Sequence, residues 1–98
     1  MSTPNVGRIS LDEHGLLRDD HRWIALSGAE EAVMTMLLER FGLLVRRRDL
    51  CLRIWPDREP TLRALDVTMH RLRKRIAPLG LHIVTVRGRG FVLDEADP

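Results

Sequence analysis

The chain has 98 residues, 44% of them hydrophobic, and a net charge of +2, which fits one small folded domain and leaves no room for two. This composition excludes a disordered tail, no run is apolar enough to span a membrane, and the single cysteine, Cys51, excludes an internal disulfide and suits a reducing cytoplasm. The small net charge hides an asymmetry: residues 1–45 carry four arginines against seven carboxylates, residues 46–89 carry twelve Arg/Lys against four, and the last nine residues return to −3. A basic block between acidic flanks implies one polyanion-binding face.

The opening MSTPN lacks a signal-peptide pattern, so residues 1–5 read as a loose arm. Short apolar/polar alternations follow, broken by turn residues. Val6 to Leu11, Leu16 to Arg18 and Arg22 to Leu26 are candidate strands of an antiparallel meander, with turns at His14-Gly15 and Asp19-Asp20. The carboxylates of these turns lie beside His14 and His21, but no ligand spacing repeats, and solvated turn residues are expected rather than a metal site.

Ser27-Gly28-Ala29-Glu30 is a capping box. It predicts a helix through about Arg40, with Val33, Met36 and Leu37 at core spacing. Gly42 ends it, and Leu43 to Val45 reads as a short extended link. A second helix is predicted over Arg47 to Trp55, with Leu50, Ile54 and Cys51 inward. Arg46, Arg47 and Arg48 stand at its start, where cations oppose the helix dipole at a cost of about a few tenths of a kcal/mol. A bound phosphate would relieve that cost and accept backbone N–H groups. A solvated triplet is the plain alternative, and the rest of the basic block favours phosphate. Pro56-Asp57-Arg58-Glu59-Pro60 is a rigid polar loop, its second proline preceding the next helix.

The third helix is predicted over Leu62 to Ala77. Leu62, Leu65, Met69, Leu72 and Ile76 form one narrow stripe at alternating spacings of three and four. Arg63, Val67, His70, Arg71 and Lys74 lie opposite. Asp66 and Arg73 flank one edge, Thr68 and Arg75 the other. One acidic residue against five cations on a single helix destabilises it in isolation, a cost that an anionic partner would offset. Such a face suits the major groove, where Arg and Lys can bond guanine O6 and N7 and Val67 can touch a thymine methyl. Pro78 and Gly80 stop the helix. Leu81 to Val86 is a strand, Arg87-Gly88-Arg89-Gly90 a tight turn whose glycines allow positive φ, and Phe91 to Leu93 the return strand. The hairpin is slim enough for the minor groove, whose negative potential attracts Arg87 and Arg89.

The order of elements and their residues together resemble the winged-helix DNA-binding domain of OmpR/PhoB-type bacterial response regulators. The resemblance runs from about Val6 to Leu93. It is carried by RALDVTMHRLRKRI (63–76) and TVRGRGF (85–91), with support from LSGAE (26–30), VRRRDL (45–50) and Trp55. It implies an α+β winged helix-turn-helix over 6–94, with a four-stranded N-terminal antiparallel sheet, three helices, a C-terminal hairpin wing and a tail from 95 to 98. By resemblance the third helix reads the major groove, and Arg63, Asp66, His70 and Arg71 occupy positions that face bases or nearby phosphates; Val67 and Lys74, on the same outward face, complete the expected base-contacting set. Arg87 enters the minor groove, and Arg46, Arg47, Arg48, Arg73, Arg75, Thr85 and Arg89 are assigned to phosphates. Loop 56–60 corresponds to the family's contact with RNA polymerase, and family members bind direct repeats as tandem protomers. The chain departs from the family at Arg46, where a serine caps the second helix, and at Glu31, where a phenylalanine enters the core.

The expected function is therefore a sequence-specific double-stranded DNA-binding transcription regulator of a bacterial two-component system, acting in the cytoplasm. The alternative is a winged-helix interaction module docking on RNA polymerase or another regulator through loop 56–60 and the acidic N-terminal sheet. The length leaves no room for a receiver domain, so the chain is either an excised effector domain or a stand-alone regulator, and Met1 with its short arm favours the second. No enzyme and no cofactor are expected. The four histidines (His14, His21, His70 and His82) lack metal spacing, Cys51 lies between two leucines, and Ser27 is a cap.

Overall fold

A computed structural model describes residues 5–57 and 62–95. The architecture is α+β, with an N-terminal antiparallel sheet, three helices and a C-terminal hairpin packed around one core. Of the expected arm (1–5) and tail (95–98), residues 1–4 and 96–98 lie outside the described residues, as does the part of the polar loop at 58–60, whereas Asn5 and Glu95 belong to the first and last strands.

The first sheet has four strands in sequence order: β1 (Asn5–Val6), β2 (Ile9–Leu11), β3 (Leu16–Arg18) and β4 (Trp23–Ala25). The single strand expected from Val6 to Leu11 is instead two, because Gly7 takes φ +55° and folds the chain back so that Val6 pairs with Ile9. Alternation then sends Ile9, Leu11 and Leu17 into the core and Ser10 and Arg18 to the other face. The two acidic turns are held by their own carboxylates. Asp12 accepts from the N–H groups of His14 and Leu16 and from Arg18, and Asp19 accepts from the N–H groups of His21 and Arg22.

Helix α1 (Gly28–Glu39) starts at the expected capping box. Ser27 Oγ accepts from the Glu30 amide, and Glu30 Oε1 accepts from the Ser27 amide. Its buried stripe is Val33, Met34, Leu37 and Leu38, whereas Met36, expected inward, is only half-buried. The link after it is a strand, β5 (Leu44–Arg46), running into α2 (Arg47–Ile54), which ends at Trp55. Helix α3 (Leu62–Ile76) gives way to one 3₁₀ turn at Ala77–Leu79, and Gly80 closes it in the left-handed region at φ +75°.

The wing is β6 (Leu81–Val86) and β7 (Gly90–Glu95), and β5 adds to it, giving the order β5-β7-β6. That third strand is absent from the sequence reading, since β5 has three residues and finds its partner more than forty positions away. The Gly42 amide donates to the Leu93 carbonyl at 3.0 Å and brings the chain alongside β7.

At Gly90 the backbone of β5 lies close against β7. Its φ is +156°, and a Cβ built there would lie 2.1 Å from the Val45 carbonyl oxygen. Gly90→Ala is expected to destabilise the domain by about 3 kcal/mol or more, measured by urea unfolding, because both strands must separate to admit the methyl. A second expectation concerns pH. The Leu16 amide chiefly, with the His14 amide and Arg18, holds the Asp12 carboxyl below its ordinary value of 3.8, and the His21 and Arg22 amides do the same for Asp19. A depressed native value means stability present above the unfolded value and lost as pH falls through the native one. Thermal unfolding should therefore show a loss beginning below about pH 4, and Asp12→Asn should blunt it.

Candidate nucleic-acid interface

Helix α3 has two unlike faces. Leu65, Met69, Leu72 and Ile76 are at most 1% exposed, seated under α1 and the wing sheet. With that stripe held inside, Arg63, Val67, His70, Arg71 and Lys74 all point to solvent, as the wheel predicts. Among the described residues none of their side chains makes a hydrogen bond or ion pair, so their donors face outward unspent. Val67 is 41% exposed in the middle of this cationic surface. Thr68, at its edge, is buried and donates its hydroxyl to the Ala64 carbonyl at 3.0 Å, a bond within the helix that takes it out of recognition.

The wing tip has the same character. Arg87, Gly88 and Arg89 are exposed in a three-residue loop closed by the Arg89 amide on the Val86 carbonyl at 2.9 Å, with Gly88 at φ +75°. Arg46 and Arg48 are exposed at the start of α2, and Arg46, as N-cap, supplies no side-chain acceptor to the first amides of that helix. Of the polar loop, Pro56 and Asp57 are exposed, and Arg58, Glu59 and Pro60 lie outside the described residues.

Four cations and carboxylates grouped with this face by their sequence positions are engaged inside the protein. Arg47 donates to Asp66 Oδ1 at 2.8 Å and lies 5.3 Å over the Phe91 ring, so Asp66 is paired before any base arrives. Arg73 donates through Nε to the Ile83 carbonyl at 3.2 Å and through Nη2 to Thr85 Oγ1 at 2.6 Å. Arg75 donates to Glu30 Oε2 at 3.1 Å and to the Ala25 carbonyl at 3.3 Å. The Arg75 guanidinium, expected at a phosphate, is turned to the α1 and β4 side. Arg73 and Thr85 are likewise spent on one another. A helical wheel separates inside from outside, but residues on its edges go to whichever neighbour offers an acceptor. Here those acceptors sit 10 to 50 positions away. The one local hint was Glu30, whose capping role uses only one of its two oxygens.

Cys51 is half-buried beside the core, and desolvation pushes its thiol above the ordinary range, which makes it a poorer nucleophile at neutral pH. No helix among the described residues is long and apolar enough to cross a membrane.

Residues 20–93 match the family model described as "Transcriptional regulatory protein, C terminal". The virulence transcriptional regulatory protein PhoP of Salmonella typhimurium is 36% identical over 74 residues, covering 72% of this chain and 33% of its own length. The C-terminal domain of the nisin resistance regulator NsrR superposes with a TM-score of 0.82 at 33% identity, covering 94% of this chain and 96% of that domain. The DNA-binding domain of the response regulator AdeR, solved in complex with an intercistronic region, shares the fold at a TM-score of 0.79 and 20% identity, covering 94% of this chain and 98% of that one.

The chain belongs to the family of transcriptional regulatory protein C-terminal domains.

It is of the OmpR/PhoB type and is a DNA-binding regulatory domain rather than an enzyme. It spans less than half the length of the curated relatives it matches.

Within this domain Glu30 is a buried charge that ties α1 to α3. Only 3% of its side chain is exposed, and it accepts from the Ser27 amide and from Arg75. Arg75→Ala should lower stability by about 2 kcal/mol in urea unfolding, because the carboxylate stays buried with one oxygen unpaired. Duplex affinity measured well below the melting temperature should be unchanged, which separates a brace from a phosphate contact.

Proposed function

We propose that the domain binds double-stranded DNA sequence-specifically as a transcription regulator, with α3 in the major groove and the wing in the minor groove. The observation that carries this reading is the helix whose buried stripe leaves it a single outward orientation, with Arg63, His70, Arg71 and Lys74 all exposed and uncommitted. In this reading Arg71 and Lys74 bond purine edges, Val67 meets a thymine methyl, and Arg63 and His70 reach base edges or nearby phosphates. Arg87 enters the minor groove, and Arg46, Arg48 and Arg89 neutralise phosphates. Arg47 and Asp66 act as a pair, the carboxylate holding the guanidinium at the seam between α2 and α3. That AdeR's domain, of the same fold, was solved with an intercistronic region supports a promoter-type site. A second protomer in tandem on a direct repeat, and RNA polymerase contacted through loop 56–60, are the protein partners that follow from the family. The cytoplasm is the compartment that follows from a DNA target.

The test is duplex binding across a salt series, on a site selected from a random-sequence pool. Log affinity should fall with log salt by about 0.9 for each phosphate neutralised. Arg71→Ala should cost ~1–3 kcal/mol on the selected site and relax preference at one base pair. Arg48→Ala should weaken every sequence alike and reduce the slope by about 1. If Arg71→Ala leaves both affinity and preference intact, the recognition helix is misassigned.

A further inference from the structure

The wing and α3 must address two grooves at once, yet they are separate elements that the chain links through residues 77–80 and that pack through apolar side chains of the shared core, which carry little directional preference. Their relative angle therefore needs a restraint. Among the described residues, Arg73 makes the only side-chain hydrogen bonds between α3 and the wing strands. We infer that Arg73 is a positioning residue that sets the wing's angle to α3, so that Arg87 meets the minor groove while Arg71 and Lys74 occupy the major groove. This inference rests on the two-groove reading above.

Both acceptors of Arg73 lie on β6, two residues apart. The Ile83 carbonyl belongs to a residue whose side chain is buried, so it is anchored to the core. The Thr85 hydroxyl sits further out, one residue before the last rung of the hairpin. A planar guanidinium that fills both fixes the strand against sliding and against rotation, which a single-point ammonium does not do. The rung itself is held from its other end. Thr85 pairs across the ladder with Phe91, and Phe91 is buried beneath the Arg47 guanidinium, which in turn donates to Asp66 of α3. The Thr85–Phe91 rung is thus tied back to α3 twice, directly through Arg73 and indirectly through Arg47. Beyond it stand only the Val86–Gly90 pair and the loop that carries Arg87 and Arg89. An arginine reserved for phosphate would keep its donors outward, as Arg48 and Arg89 do. Arg73 instead spends its Nε and one terminal nitrogen on the wing.

The experiment is a double-mutant cycle on the selected duplex, using Arg73→Lys, which keeps the charge and loses the fork, and Thr85→Val, which loses the hydroxyl and keeps the shape. Each is expected to weaken binding roughly 5- to 10-fold with the salt slope unchanged, and Arg87→Ala, costing about 10-fold in the natural protein, should cost under about 3-fold in either background. Multiplicative effects in the cycle, or a slope lowered by about 0.9 in Arg73→Gln, would mark Arg73 as an ordinary phosphate contact and overturn the inference. Residual dipolar couplings of the wing amides in the free protein give a readout that does not depend on DNA. A reoriented wing in Arg73→Lys or Thr85→Val, at preserved melting temperature, supports the brace; an unmoved wing in both sinks it. Absence of any duplex binding by the natural protein would instead count against the function proposed above.

Discussion

Burial of one stripe on α3 governs what this domain can present to the outside. Leu65, Met69, Leu72 and Ile76 lie in the core with almost no exposed surface, each contributing about 1.5–3 kcal/mol by leaving water. A helix held by four such side chains cannot roll about its axis without exposing them. Its opposite face is consequently a fixed display, and that display is cationic. Repulsion among Arg63, Arg71 and Lys74 opposes the helix but is spread over an exposed surface where water and salt screen it, so the buried stripe wins. The result is a rigid positive ridge whose direction is set from within.

The arginines of the basic block divide by what surrounds them. Residues 46–89 hold twelve basic side chains, which read as one continuous cationic surface. Arg47, Arg73 and Arg75 leave that set, since each has at least one nitrogen on a protein acceptor. Their removal sharpens the interface. Among the described residues, and apart from Arg53 at the end of α2, the uncommitted cations of this block lie on the outer face of α3, at the start of α2 and at the tip of the wing, which are three places a duplex could touch together. The three committed ones sit at seams: α2 to α3, α3 to β6, and α3 to the junction of β4 and α1. Arginine suits such seams because its forked donors can satisfy two acceptors in one plane. The same chemistry that recognises a purine edge here serves to hold secondary elements at set angles.

Much of the fold could be read from local patterns. Ser27 and Glu30 mark the start of α1 because a capping box involves only residues three apart. The stripe of α3 and its outward face follow from helical periodicity, and the Pro78–Gly80 stop and the glycine-bearing turn at 87–90 follow from backbone sterics. Each of these depends on neighbours within one or two turns of chain, so the linear order contains the whole cause. Gly7 shows the limit even there: a strand and a two-residue hairpin have the same alternation until the glycine's conformation is known.

What needed three dimensions was every feature whose cause is a distant partner. Leu44 to Arg46 is a strand only because β7 offers it an unpaired edge. Gly90 looks like a turn residue and is in fact required by the approach of the Val45 carbonyl. Arg75 and Glu30 are 45 positions apart, and no pattern along the chain joins them. Periodicity can say which side chains leave the core, since that is a property of one helix. Which of the departing arginines meet solvent and which meet an acceptor is a property of how helices, sheet and wing pack, and the long, flexible side chain itself carries no signal of the choice.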